Sequence, residues 1–174
     1  MKLHAVATAP GYAGASTLTP MTRSDALWVC SRVVADERRQ IEALIGRDFD
    51  AEAEAMRCTR RDTAYTIAAP DGERVMVGGF DLVHPRLARC WSLSTPRWGE
   101  HVRDITRLSR DGIERVLNDT EVHRMEILCS AGRTGAHHWY TRSLGFVEEA
   151  VLHCYGHAGE DFVLFARTTD AGLP

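Results

Sequence analysis

The chain contains no long apolar run, no excess of basic residues and no paired cysteine spacing. A membrane-spanning helix needs about 18 or more consecutive apolar residues, so none is expected. Lys and Arg number 21 against 24 Asp and Glu, a net charge of −3. General nucleic-acid binding normally brings a basic surplus or stripe, so that class is not expected either. The five cysteines (Cys30, Cys58, Cys90, Cys129 and Cys154) are odd in number and widely spaced. They read neither as a disulfide framework nor as a CxxC zinc site. A reducing, cytoplasmic compartment is the simplest expectation. The opening Met1 to Pro10 has one cation and too weak an apolar core for a signal peptide.

What is present suits one ordinary domain. The 174 residues match the usual domain length of about 100–200, and 44% hydrophobic content supports a core without metal or disulfides. Residues 1–15, rich in Ala, Gly and Thr, read as an arm, and residues 168–174 as a polar tail. Ser16 to Pro20 reads as a first strand. Ser24-Asp25 offers an N-cap for a helix over 25–34, and Asp36 one for a helix carrying Ile41, Leu44 and Ile45, ended by Gly46. The run Asp36-Glu37-Arg38-Arg39-Gln40 reads as a solvated helix face. A third helix begins at Asp48 or Asp50 and runs through Met56.

The period then changes. Thr63 to Ala69, the turn Pro70-Asp71-Gly72, and Val75 to Val83 predict an antiparallel hairpin, extended by Leu87 to Thr95 into a meander. A helix from about Glu100 to Leu117 carries Val102, Ile105, Leu108, Ile113 and Val116 as its apolar stripe. Val122 to Cys129 is a strand and Ala136 to Ser143 a short helix, with Gly145 suited to a left-handed C-terminal cap. Val147 to Tyr155 and Phe162 to Arg167 close the chain as two strands joined through His157-Ala158-Gly159. The expected class is α/β (α+β): a twisted, mixed and mostly antiparallel sheet with helices on both faces. His153, Cys154 and His157 are metal-ligand types, but neighbours in a strand point to opposite faces, so no metal site is expected.

This element order resembles the GNAT superfamily of acyl-CoA N-acyltransferases. It does so together with Ser143-Leu144-Gly145-Phe146-Val147-Glu148-Glu149, the closing Gly159 to Arg167, and the opening Pro20 to Ala26. The resemblance covers about residues 16–168 and implies acetyl-CoA as cofactor and an amine as acceptor. It implies a splayed strand near Trp91 to Thr95 that pairs with pantetheine, so Leu93, Ser94 and Thr95 are candidate contacts. A glycine-rich turn opening the next helix would hold the pyrophosphate. Here that stretch is Thr95-Pro96-Arg97-Trp98-Gly99-Glu100-His101-Val102-Arg103-Asp104, with one glycine, bulky Trp98 and acidic Glu100. Arg97, Gly99, His101 and Arg103 are the candidate anion contacts. Glu100 also reads as a complement to the helix N-terminus.

The family's thiolate acid, a Tyr, lies three residues before the Leu of Leu-Gly-Phe. That position is Thr141, and Tyr140 lies one further back. A helical step is about 100°, so Tyr140 faces the cleft only if an extra residue is absorbed at the helix end. Thr134 stands where the family has an Asn, and His137 lies on the helix expected to border the coenzyme groove. Asp81 and Glu126, in strands flanking the expected cleft, are candidate bases, with edge carboxylates as the plainer reading of both.

Asp36 to Leu44, Leu108-Ser109-Arg110 and Ala136-His137 further resemble small GNAT-like proteins that tailed phages and prophages encode near head and internal-virion genes. That implies phage structural proteins as partners, in the host cytoplasm or the virion. The altered loop and displaced Tyr favour a phage virion or assembly protein with weak or no acetyl transfer. The alternative is an acetyl-CoA-dependent N-acetyltransferase acting on an amine of a small molecule or protein. Homo-oligomerisation is compatible with either.

Overall fold

The computed structural model describes residues 15–61 and 63–169. The expected arm, Ala15 excepted, and the tail from residue 170 lie outside the described residues. Seven strands form one sheet in the order β1-β2-β3-β4-β5-β7-β6. They are β1 (Thr17–Pro20), β2 (Tyr65–Ala68), β3 (Arg74–His84), β4 (Leu87–Ser94), β5 (Arg124–Ser130), β6 (Val147–Leu152) and β7 (Phe162–Thr168). All neighbours are antiparallel except β4 and β5, which are parallel. The expected tail begins one residue early, because Thr168 still pairs with Arg124.

The helices are α1 (Arg23–Cys30), α2 (Ala35–Ile45), α3 (Ala51–Cys58), α4 (Val102–Asp119) and α5 (Thr134–His138). The cap of α1 is Thr22, not the expected Ser24-Asp25. Thr22 accepts from the Asp25 backbone while the Asp25 carboxylate accepts from the Thr22 backbone, a reciprocal capping box. The cap of α2 is Val34, with no side-chain bond, so Asp36 falls inside the first turn. Asp50 caps α3 as expected, its carboxylate 2.9 Å from Ala53 N.

The two faces of the sheet carry different helices. Val77 and Leu93 pack against Ala26, Val29, Cys30, Ile41, Ala55 and Cys58 of α1–α3. Met76, adjacent to Val77 and so pointing the opposite way, packs with Ile105 and Leu108 of α4. Ile113, Val116 and Leu117 continue that face onto Met125, Ile127 and Phe165. No helix among the described residues is long and apolar enough to cross a membrane.

One pairing positions the site. β4 and β5 run together only from Leu87–Arg124 to Arg89–Glu126 and then part. From Cys90 onward the edge of β4 faces a gap, and α2 lies over one end of it.

Candidate active site

A cavity of 510 Å³ occupies the gap and reaches both faces of the sheet. On the α4 side its wall includes Leu108, Ser109, Gly112, Trp139 and Tyr140; on the α1–α3 side it includes Ile41, Leu44, Arg57, Arg61 and Trp91. A side chain at Gly112 would meet nothing within 4 Å, so the helix leaves open space there.

Strand alternation decides which backbone groups of β4 reach the gap. Thr95 N donates to Val75 O at 2.9 Å, toward β3. Ser94 is turned the other way: its carbonyl accepts from Val34 N at 3.0 Å and its N–H donates to Glu37 Oε2 at 2.6 Å. Ser92 and Cys90 share the orientation of Ser94, while Leu93 shares that of Thr95. Of the expected strand contacts, therefore, Ser94 offers its backbone to the gap. Leu93 contributes only a buried side chain to the cavity wall, and Thr95 is committed to β3.

Glu37 is the centre of the gap, and the sequence reading missed it. Its carboxylate also accepts the Ser94 hydroxyl at 2.9 Å and Arg133 Nη2 at 3.2 Å. Gln40 Oε1, one turn along α2, accepts Ser130 N at 2.9 Å and Arg133 Nη1 at 3.1 Å. Helix α2 thus ties β4 to β5 across the gap. Burial pushes the Glu37 carboxyl above its ordinary range, against the pull of Arg133 and the Ser94 donors. The expected solvated face is split: Asp36, Arg38 and Arg39 are exposed, whereas Glu37 is buried. The missed signal was spacing, because Glu37, Gln40, Ile41 and Leu44 share one helical face.

Tyr140 reaches the cavity by the route that the sequence left open. Residues Trp139–Ser143 form a π-helical turn, in which Leu144 N donates to Trp139 O at 3.1 Å. Such a turn absorbs one extra residue, so Tyr140 lies on the wall despite its offset from Leu144. The ring packs against Phe165 and Trp139. Burial, with the Cys129 thiol alongside, pushes its ionisation well above the normal phenol range. The hydroxyl therefore keeps its proton at neutral pH.

The two candidate bases separate. Asp81 lines the cavity and forms an ion pair with Arg61. Glu126 sits where β4 and β5 still pair, bonded to Arg124 at 2.9 Å and Arg89 at 3.1 Å, and is not part of the wall. Burial pulls its pKa up, but those bonds outweigh it and hold the carboxyl below its ordinary range.

The stretch expected to hold pyrophosphate is a 3₁₀ turn over Pro96–His101 leading into α4. Arg97 bonds Glu73 at 2.6 Å, Asp71 at 2.9 Å and Glu100 at 3.0 Å. His101 lies 3.4 Å from Arg97 and 3.9 Å from Glu100. Glu100 thus pairs with Arg97 two residues ahead of the α-helix instead of opening it. Asp104 occupies the first turn of α4 and accepts Ser16 N at 2.8 Å. Trp98 does not project outward; it stacks edge-on against Trp139 at 5.3 Å. Gly99 has open space around it and Arg103 is exposed. Thr134 is exposed at the start of α5. His137 Nε2 lies 3.0 Å from Ser130 O and its ring against Phe165, outside the cavity wall.

By sequence, no protein-family model and no curated protein matches the chain. Solved structures do match. A GNAT-family acetyltransferase from Bacillus anthracis superposes with a TM-score of 0.70 at 10% identity, covering 90% of this chain and 96% of that one. RimL, a ribosomal-protein α-N-acetyltransferase solved in complex with coenzyme A, gives 0.71 at 14% identity, covering 95% and 99%. A spermidine N-acetyltransferase from Vibrio cholerae gives 0.65 at 14% identity, covering 88% and 93%. The chain has the fold of the GNAT acetyltransferases.

Proposed function

We propose that the protein is an acetyl-CoA-dependent N-acetyltransferase that works in the gap between β4 and β5. The observation that carries this reading is the cavity through the sheet with Tyr140 turned onto its wall by the π turn. The structural neighbours add support, since they are acetyltransferases and one was solved with coenzyme A.

The residues present fit the pantetheine arm better than the diphosphate. The free edge of β4 and the empty space beside Gly112 suit an extended chain lying along α4. Backbone groups of Ser92 would hold it, and the Ser94 N–H could join only by exchanging its bond to Glu37. At the diphosphate end, the N-terminal amides of α4, Gly99 and Arg103 would take the anion. When bound, acetyl-CoA supplies an acyl group made electrophilic by its thioester. Tyr140 Oη holds a proton where a departing sulfur needs one. Asp81 supplies a carboxylate on the face where an amine enters. Helices α2 and α3 exclude water from that side.

A second reading keeps the fold without the chemistry, as a GNAT-like protein of phage virion assembly. It is favoured by Arg97, which three carboxylates already satisfy, and by Ser94, whose N–H is filled by Glu37. Calorimetry with acetyl-CoA separates the two. Micromolar binding with turnover of a primary amine supports the enzyme. Absence of heat at millimolar ligand overturns it and leaves the assembly role.

A further inference from the structure

The α1–α3 side of the cavity, where an amine would enter, is built of charges of which the proposed chemistry uses only Asp81. Glu54 is buried and bonded by Arg57 through two contacts, at 2.5 and 2.8 Å. Arg61 ion-pairs with Asp81 and lies over the indole of Trp91, 4.7 Å from its centroid. Arg89, next but one to Trp91 along β4, joins the same wall. Each of these three guanidiniums already faces a carboxylate: Arg57 on Glu54, Arg61 on Asp81 and Arg89 on Glu126. A wall in charge balance gives no advantage to a polycation.

Two buried donors sharpen this. Among the described residues, Arg61 Nε and Trp91 Nε1 have no hydrogen-bond partner, though both belong to residues lining the cavity and their side chains are stacked on each other. A buried donor left unmet loses its hydration with nothing in return, so an adjacent unmet pair is an unfavourable arrangement for packing alone. Both groups are donors, so what would satisfy them is an acceptor oxygen. A carboxylate has two and matches a guanidinium edge.

Resting on the acetyltransferase reading, we infer that the acceptor is an amine that also carries a carboxylate, as in an amino acid. Its carboxylate takes Arg61 and the Trp91 N–H. Its ammonium takes Asp81, released from Arg61 by that exchange. Charge is conserved across the swap: one ion pair inside the protein becomes two between protein and ligand.

Calorimetry on the intact chain without coenzyme tests this, using a panel of free L-amino acids, the carboxamide of each, and spermidine. At least one free acid is expected to bind about tenfold more tightly than its carboxamide and than spermidine. Trp91→Phe keeps the ring and removes only the donor; it is expected to weaken the acid severalfold and leave the carboxamide unchanged. Arg61→Gln is expected to abolish the preference, with its fold checked by circular dichroism. A peptide amide with a free N-terminus and an acidic second residue distinguishes the source: its binding supports the same chemistry in a peptide acceptor. Equal binding of acid and carboxamide, tighter binding of spermidine, or no binding of any carboxylate-bearing amine at about 10 mM overturns the inference. Amino-acid binding without acetyl-CoA binding would overturn the enzyme reading and leave the site standing. The reverse result would remove only the site.

Discussion

Glu37 and Ser94, 57 residues apart, are joined by two hydrogen bonds, from the Ser94 backbone N–H at 2.6 Å and its hydroxyl at 2.9 Å. The contact places a buried carboxylate on the open edge of β4, where the acyl donor would pair. Removing it should move stability and coenzyme affinity in opposite directions. Glu37→Ala takes from Arg133 its carboxylate and leaves it Gln40 and the Cys129 sulfur, which is expected to cost about 3 kcal/mol in urea unfolding. The same change releases the Ser94 N–H, so acetyl-CoA is expected to bind more tightly in calorimetry. Glu37→Gln, which still accepts that N–H, is expected to cost about 1 kcal/mol.

Two buried carboxyls make opposite contributions to the pH dependence of stability. For Asp25, burial raises the pKa, but hydrogen bonds from Thr22 and Arg74 prevail and hold it below the ordinary range. Its contribution is present above about pH 4 and lost as the pH falls through the lowered value. The raised Glu37 acts the other way: its contribution is full below about pH 4 and lost as the pH rises through the raised value. Urea midpoints across the pH range should show Asp25→Asn flattening the acid limb. Glu37→Gln should flatten the decline above it.

Tyr140→Phe is expected to lower turnover about a hundredfold while leaving acetyl-CoA affinity unchanged, because only the proton donor is lost. Thermal unfolding should barely move, since Phe165 and Trp139 still meet an aromatic ring. Deleting Thr141 removes the extra residue of the π turn and returns Tyr140 to three residues before the leucine, so a regular helical turn would present it to the same wall. That variant is expected to keep turnover, in contrast to Tyr140→Phe. Retained turnover in Tyr140→Phe would exclude the role.

Gly112 offers a test of the groove itself. It lies within α4 with nothing near its missing side chain, so Gly112→Ala is expected to stabilise the protein by about 0.5–1 kcal/mol. Gly112→Leu should fold but fill the α4 side of the cavity. Acetyl-CoA affinity is then expected to fall at least about tenfold in calorimetry. Unchanged affinity would move the coenzyme elsewhere.

The elements themselves were readable because periodicity records burial. The alternation from Thr63 to Thr95 and the stripe from Ile105 to Val116 each face one continuous surface, and the structure places those strands and that helix as expected. Local chemistry was less decisive. Ser24 looked like the cap of α1, yet Thr22 fills the role because its partner Asp25 also bonds Thr66 and Arg74 from the sheet. The loop Pro96–His101 was legible as an altered one, but not as the hub of three ion pairs. Two partners of Arg97 sit more than twenty residues earlier, at Asp71 and Glu73.

What the sequence determined on its own was the set of buried faces and their order, hence the strands and helices; the parting of β4 from β5 was expected only from the GNAT resemblance. Tertiary structure alone decided the site. Glu37 reads as one more charge on a polar helix until Ser94 and Arg133 arrive from 57 and 96 residues away. Tyr140 looks misplaced until the chain widens into a π turn. In both cases the deciding energy is burial against distant partners, which no local window of residues contains.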